Sequence, residues 1–299
     1  MNNRLKIAVL GASGMVGHKV WQVLSEKFPG MVVGQIHKDL SHYKNITKIF
    51  EKAEILDRID VTDEKRLFGF LDSARPTVVV NCVGLTWRRD QGKTDEDYVR
   101  LNALLPHVLV RWCKNNKASL ITFSTDCVFS GEDGNYTEES LTDASHVYGR
   151  SKSLGEVKAS EALVIRTSVI GRELENKTEL LEWFLGQVAA GKTVKGYEKA
   201  IYSGITTLQL GKFVSEIIRT KSDLRGLYQI ASEPISKYEL LKMVRTAMEL
   251  KVDLVPDSSV LIRKNLIGDK FVTATGFNTP SWTDMIQDLV SDKTVYSAA

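Results

Sequence analysis

The sequence predicts an α/β fold, a doubly wound parallel sheet followed by a smaller C-terminal lobe. Three observations carry this expectation. An apolar run at residues 5–10 ends in glycine, short apolar runs then alternate with helix-length segments to about residue 170, and the rhythm changes after Gly171. Continuous apolar runs suit strands buried on both faces, and strands separated by ten or more residues need crossover connections, which build parallel sheets covered by helices.

Taken in order, residues 5–10 form the first strand and 14–27 the first helix, with Val16, Val20, Val23 and Leu24 on one stripe. Strands are expected at 31–36, 55–59, 77–82 (just after Pro76), 118–123 and 163–167, with helices at 64–72, 94–114 and 148–160 between them. Beyond Gly171 come helices near 178–190, 207–219 and 236–249 and only short strand candidates such as 227–230. Ser236 and Glu239 have the spacing of a capping box at the last helix.

A chain of 299 residues exceeds one typical domain and can bury a sizeable core. Its 43% hydrophobic and 26% charged residues are ordinary for a folded protein. The net charge of +3 is spread along the chain without a basic stripe, which argues against a nucleic-acid partner. Cys82, Cys113 and Cys127 are odd in number and form no C-x-x-C pair, so neither a disulfide framework nor a metal is expected. The apolar run near the N-terminus is too short for a signal peptide, and no run of 18 apolar residues occurs. A cytoplasmic location without membrane association is the expectation.

Gly11, Gly14 and Gly17 stand in G-x-x-G-x-x-G spacing between the first strand and first helix. Glycine permits a tight turn and close approach to a pyrophosphate, and the following helix aims its N-terminal amides at that anion. Position after a buried strand is the context that makes this loop, Gly11 to Gly17 with Ser13, Met15 and Val16, a dinucleotide site of Rossmann type. A dinucleotide-binding domain is accordingly expected over residues 1–170 and a mainly substrate-binding lobe over 171–299, with the chain free to weave between them. About 20 residues on, where an acidic residue would select NAD, the sequence reads Ile36-His37-Lys38. Two potential cations there favour the 2′-phosphate of NADP, with NAD the alternative and Asp39 close by. Asp60-Val61 follows the third strand, where the carboxylate can meet the adenine or cap the next helix.

Ser124-Thr125-Asp126 lies at the carboxyl end of the strand at 118–123, the edge where open parallel sheets bind ligands. Tyr148 and Lys152 begin the next helix at i, i+4, which puts phenol and ammonium on one face. Tyr238 and Lys242 repeat that spacing, but only the first pair follows a hydroxyl-bearing strand end. A phenol has a pKa near 10, so acid–base work near neutrality needs a downward shift worth about 4 kcal/mol, which a neighbouring ammonium and an oxidised nicotinamide can supply. In reduction Tyr148 would donate a proton to a carbonyl oxygen while Thr125 hydrogen-bonds that oxygen and Lys152 also holds the ribose.

The glycine loop, Asp60-Val61-Thr62-Asp63, Asn81, Leu101-Asn102-Ala103, Ser124-Thr125-Asp126-Cys127-Val128-Phe129, Tyr148-Gly149-Arg150-Ser151-Lys152 and Arg166-Thr167-Ser168 follow one another as in extended short-chain dehydrogenases/reductases. The chain resembles the dTDP-4-dehydrorhamnose reductase family, closely over residues 5–170 and loosely beyond. That resemblance implies an NADPH- or NADH-dependent reductase of the C4 ketone of a nucleotide-linked 6-deoxyhexulose, serving polysaccharide synthesis. It gives Thr125, Tyr148 and Lys152 the catalytic roles and brings Asn81, Cys82, Val83 and Asn102 to the cofactor. Thr86, Arg88, Asp126, Cys127 and Arg166 fall to the substrate.

Departures from the family pattern point to a changed substrate. Cys82-Val83-Gly84 stands where the family has Ala-Ala after the asparagine, Cys127 replaces a tyrosine, and Thr86-Trp87-Arg88-Arg89 is unlike the usual segment. Arg88 and Arg89 suit a diphosphate or simply a solvated loop, and Cys127 either a substrate wall or an inert small hydrophobe. An epimerase or dehydratase with retained cofactor is a second reading, weakened because Cys127 rather than Glu follows Asp126. A third is a non-catalytic subunit resembling the methionine adenosyltransferase β subunit, weakened by the intact Thr125, Tyr148 and Lys152. A homodimer is compatible with all three.

Overall fold

The computed structural model describes residues 4–43, 48–51, 53–86, 92–292, 294 and 296. β1 (Ile7–Leu10) is buried along its whole length, as a strand covered on both faces must be. A glycine turn leads into α1 (Met15–Lys27), followed by β2 (Val32–Gln35), β3 (Glu54–Leu56), α2 (Glu64–Ala74) and β4 (Val78–Asn81). Asp63 caps α2 by accepting from the Arg66 amide at 3.1 Å. Asp60, read from the sequence as meeting the adenine or capping this helix, does not cap it, and accepts instead from the Thr62 amide and hydroxyl, closing a turn ahead of the helix.

The expected long helix at 94–114 is interrupted. α3 (Asp95–Tyr98) and α4 (Leu105–Asn116) are joined by a π-helical stretch, Val99–Leu104. Pro106 explains it, since a proline ring clashes with the carbonyl four residues earlier, here that of Asn102, and cannot donate to it. β5 (Ser119–Ser124), α5 (Val147–Leu154) and β6 (Ala162–Arg166) follow. α5 ends at Leu154, with Gly155 as its cap packed against the Asn102 carbonyl, rather than running to residue 160, and Glu156 just beyond it meets Arg166.

After β7 (Val169–Ile170) and α6 (Leu180–Ala189), the chain holds two long strands that the sequence did not suggest. They are β8 (Val194–Tyr202) and, beyond β9 (Ile205–Thr206), α7 (Thr207–Thr220), β10 (Gly226–Gln229), β11 (Ile235–Ser236) and α8 (Lys237–Ala247), β12 (Leu254–Arg263). β8 is half exposed and carries Lys and Glu, and β12 contains Pro256, Asp257, Ser258 and Ser259, residues that read as a turn. The irregularity in their pairing falls between Asp257 and Leu261. α9 (Asp269–Thr275) and α10 (Trp282–Ser291) complete the described elements.

The main sheet has seven strands in the order β10-β6-β5-β4-β1-β2-β3, every neighbouring pair parallel. This is the Rossmann-like doubly wound arrangement the sequence predicted, extended at one edge by β10. Apolar layers cover both faces, one built around Trp21, Phe184 and Phe213 and the other around Leu71, Leu109 and Trp112. The strand order reverses between β1 and β4, which opens a crevice at their carboxyl ends. β11, β8 and β12 form a separate three-stranded sheet. α7 packs along α1, so segments on both sides of Gly171 contribute to the main sheet and its cover.

Arg166, at the end of β6, is buried under the Phe129 ring, with its guanidinium centre 4.9 Å from the ring centroid. Its Nε and Nη2 donate to the two oxygens of Glu156 at 2.9 and 2.6 Å, and Ser124 Oγ donates to the same carboxylate. Breaking a buried pair strands one charge at a cost of about 3–5 kcal/mol. Glu156→Ala is therefore expected to lower stability by about that amount, read from denaturant-unfolding midpoints, and an unchanged midpoint would contradict the pairing.

Candidate active site

The turn after β1 depends on glycine. Gly11 adopts φ +71°, and a Cβ on Gly17 would lie 1.9 Å from the Gly11 carbonyl oxygen, so α1 can start this close to the strand only without a side chain there. Gln35, at the end of β2, fixes the turn from outside. Its Oε1 accepts from the Gly11 amide at 2.9 Å and its Nε2 donates to the Ile59 carbonyl at 2.6 Å. A polar residue ending an otherwise apolar strand was the only sequence signal for this clamp.

Gly14, Met15 and Val16 open into a cavity of about 540 Å³ at the carboxyl edge of the sheet. Asn81, Cys82 and Val83 from the end of β4 line it, with Thr125, Asp126 and Cys127 after β5 and Tyr148 and Lys152 on α5. Thr86 also lines it, its hydroxyl donating to Glu179 at 2.5 Å. Thus the glycine turn, the hydroxyl-bearing strand end and the Tyr/Lys helix, separate in sequence, share one wall.

Other sequence candidates lie elsewhere. Gly11 and Ser13 lie in the turn before α1, Gly17 sits in the first turn of the helix behind Gly14, and Val61 is buried in the core beside α2. Asn102 stands behind the cavity, bonding both polar groups of Leu85 and the Ser151 hydroxyl, so it ties the loop after β4 to α5. Arg166, expected to meet the substrate, does not line the cavity, because Glu156 and Phe129 hold its guanidinium in the core. His37 and Lys38 are exposed after β2, with Lys38 Nζ on Glu175 at 2.6 Å. Arg88 and Arg89 lie outside the described residues.

α5 is positioned by contacts invisible in local sequence. His146 Nδ1 accepts from the Gly149 amide at 3.0 Å and caps the helix, although histidine is outside the usual capping set. The His146 ring also stacks on Tyr148, 6.1 Å between centroids. A Cβ on Gly149 would lie 2.1 Å from the Cys127 carbonyl oxygen and 2.5 Å from Ala144 Cβ. This contact seats Tyr148 against the turn that follows Thr125.

The titrating groups are all shaped by burial. The Tyr148 phenol is pushed well above its ordinary value by burial, then by Cys127, Asp126 and Glu179, against a hydrogen bond from Thr125. The expected downward shift is not produced by these side chains, because Lys152 turns its Nζ to the Phe123 carbonyl at 2.6 Å. Burial lowers Lys152 to about 8, partly offset by Glu156. Burial pushes the Cys127 thiol up to about 12, which makes it an inert wall. No cluster among the described residues could hold a metal ion, and no described helix is long and apolar enough to cross a membrane. Residues after Gly171 close the cavity, including Leu180, Tyr197, Lys237 and Lys264. None had a sequence signal, since each arrives from a different element.

Fold, glycine turn and strand-end hydroxyl with the Tyr/Lys helix define an extended short-chain dehydrogenase/reductase. The chain belongs to the family described as RmlD substrate binding domain, which it matches over residues 5–294, the family of dTDP-4-dehydrorhamnose reductase. It is 30% identical to the probable low-salt glycan biosynthesis reductase Agl14 of Haloferax volcanii over 62% of this chain, a match that spans only 61% of that relative. It is 23% identical to the dTDP-4-dehydrorhamnose reductase of Aggregatibacter actinomycetemcomitans over 78% of this chain and 76% of the relative. The dTDP-4-dehydrorhamnose reductase of Bacillus anthracis, solved with NADP, superposes with a TM-score of 0.76 at 19% identity, covering 96% of this chain and 98% of the other.

Gly149→Ala should force α5 off the Cys127 carbonyl and cost about 1–3 kcal/mol as over-packing. The check is a denaturation midpoint compared with that of an exposed-site control on the same helix, Arg150→Ala, which should stay near wild type.

Proposed function

We propose that this chain is an NAD(P)H-dependent reductase of a nucleotide-activated 4-keto-6-deoxy sugar. The observation that carries the reading is the convergence of Gly14 on α1, Thr125 after β5, and Tyr148 and Lys152 on α5 around one cavity. The reductase names of its relatives support it. Residues 1–170 are proposed as the dinucleotide-binding part, and cavity-lining residues from 171–299, such as Tyr197, Lys237 and Lys264, as the part that selects the sugar nucleotide.

The cradle fits a dinucleotide. Gly17 lets α1 start against the Gly11 carbonyl, and Gly14, Met15 and Val16 at the start of that helix line the cavity, where a pyrophosphate would be stabilised by the helix amides. Gly84 keeps the floor low, since a Cβ there would sit 3.7 Å from Lys152 Nζ and 3.1 Å from Asn102 Oδ1. Asn81, Cys82 and Val83 would line the ring's side of the cleft, and His37 and Lys38 would meet a 2′-phosphate, making NADP the proposed preference and NAD the alternative.

When bound, the nicotinamide supplies hydride to the carbonyl carbon. Tyr148 then gives its phenolic proton to the carbonyl oxygen, and the product is an alcohol. Burial keeps the phenol protonated in the free protein, so giving up the proton would require positive charge beside the phenolate, which Lys152 and the oxidised nicotinamide would supply. Thr125 would hold the phenol and the carbonyl oxygen together, and Lys152 would hold ribose hydroxyls and offset the charge of the phenolate left on Tyr148. Thr86, Asp126 and Cys127 would form the sugar wall.

Coenzyme oxidation followed by absorbance with dTDP-, UDP- and GDP-linked 4-keto-6-deoxyhexoses tests the reading. Stoichiometric consumption with one of them is expected, and none with any would reject it. Tyr148→Phe should lower turnover roughly 10²–10⁴-fold while leaving coenzyme affinity nearly unchanged. The pH profile is a separate check. Lys152 is a base whose folded value is depressed to about 8, so its ammonium is present below that pH and lost above it. Reductase kcat/KM should accordingly be level below about pH 8 and fall above it, a limb that Lys152→Met abolishes together with most of the activity.

A further inference from the structure

One group of buried polar side chains takes no part in the proposed chemistry, and it lies on α1 just after the glycine turn. His18 and Lys19 are both fully buried there. Their partners come from the far end of the chain. Lys19 Nζ pairs with Asp292 and donates to Thr294 Oγ1 at 2.8 Å, and His18 Nε2 lies 3.0 Å from the Tyr296 hydroxyl. Arg172, itself on Glu182 at 2.6 Å, stacks over the Tyr296 ring with 4.7 Å to its centroid.

The proton positions follow from the acceptors. His18 Nδ1 is 2.9 Å from the Gly14 carbonyl oxygen, which can only accept, so Nδ1 carries the hydrogen. Burial lowers His18 to about 3, with Lys19 adding to the effect, so the ring is neutral and its Nε2 is a bare acceptor. Tyr296 must then be the donor. A continuous line of hydrogen bonds thus runs from Tyr296 through the imidazole to the carbonyl of Gly14, the residue that opens α1 and lines the cavity. The same carbonyl accepts from the His18 amide at 2.9 Å, the first hydrogen bond of the helix.

We propose that the segment after α10, through Asp292 and Tyr296, is a clip that positions the first turn of α1 for coenzyme binding. Asp292 and Thr294 satisfy the buried ammonium, and Tyr296 fixes the tautomer and orientation of His18, which steadies the Gly14 carbonyl and the amides beside it. Tyr296 is a positioning residue, since it lies outside the cavity wall. The coenzyme part of this inference rests on the function proposed above, whereas the coupling of the segment to the turn does not.

Amide hydrogen exchange on the unliganded protein provides the first test. Tyr296→Phe leaves Nε2 buried without a donor, and the His18 amide should exchange roughly 3- to 10-fold faster, the ratio that corresponds to one net hydrogen bond. NADPH affinity by calorimetry should weaken by a similar factor. A second variant ends the chain at Ser291. It should lose thermal stability because Lys19 is left unpaired, and adding Lys19→Met should restore the melting temperature without restoring exchange protection or affinity. Wild-type exchange at His18 in Tyr296→Phe would overturn the clip, as would wild-type affinity in the shortened Lys19→Met chain. If the intact protein takes up neither coenzyme, the proposed function fails, and exchange alone still decides whether the segment holds the turn.

Discussion

Two places where backbone meets backbone set the geometry on which the rest of the site depends. At Gly17 the helix α1 touches the Gly11 carbonyl, and at Gly149 the helix α5 touches the Cys127 carbonyl. Neither contact leaves space for a methyl group. The first brings helix amides to the mouth of the cavity, and the second sets Tyr148 beside the turn that carries Thr125. Such contacts are short and stiff, because a backbone cannot yield as a side-chain tip can.

Around these contacts the fold buries two cations, each held by carboxylate from another segment. Arg166 closes the β5 and β6 ends through Glu156, and Lys19 closes α1 onto the chain beyond α10 through Asp292. Buried charges without partners are strongly unfavourable, so each pair restricts which arrangements of these elements are tolerated. Both pairs lie behind the cavity rather than in it. They secure the two walls from outside and leave the cavity's own polar groups to face a ligand.

Inside the cavity, burial decides the chemistry. It keeps the Tyr148 phenol protonated, makes the Cys127 thiol unreactive and brings Lys152 close enough to neutrality for its charge to be sensitive to pH. A phenol buried in this way holds its proton until positive charge beside it offsets the phenolate, so the proposed proton transfer depends on Lys152 and on the coenzyme. The cleft also draws on both halves of the chain, since Glu179, Tyr197 and Lys264 face residues from the first 152.

The sequence by itself determined the class of fold, because buried parallel strands and their covering helices leave local apolar patterns in a fixed order. It also pointed to part of the set that lines the carboxyl edge, Gly14, Asn81, Thr125, Tyr148 and Lys152 among them, since strand ends and helix starts are local events. Only the tertiary structure decided the rest. Arg166 turned into the core because Glu156 reaches it there, and Gln35 and His146 became supports of the site through partners remote from them or outside the usual capping rules. β8 and β12 were hidden because a half-exposed strand with charged residues, or one bent at Asp257, has no distinctive period. The hold of Tyr296 on Gly14 joins residues 282 positions apart, and no local pattern can encode a hydrogen bond made only when the chain closes on itself.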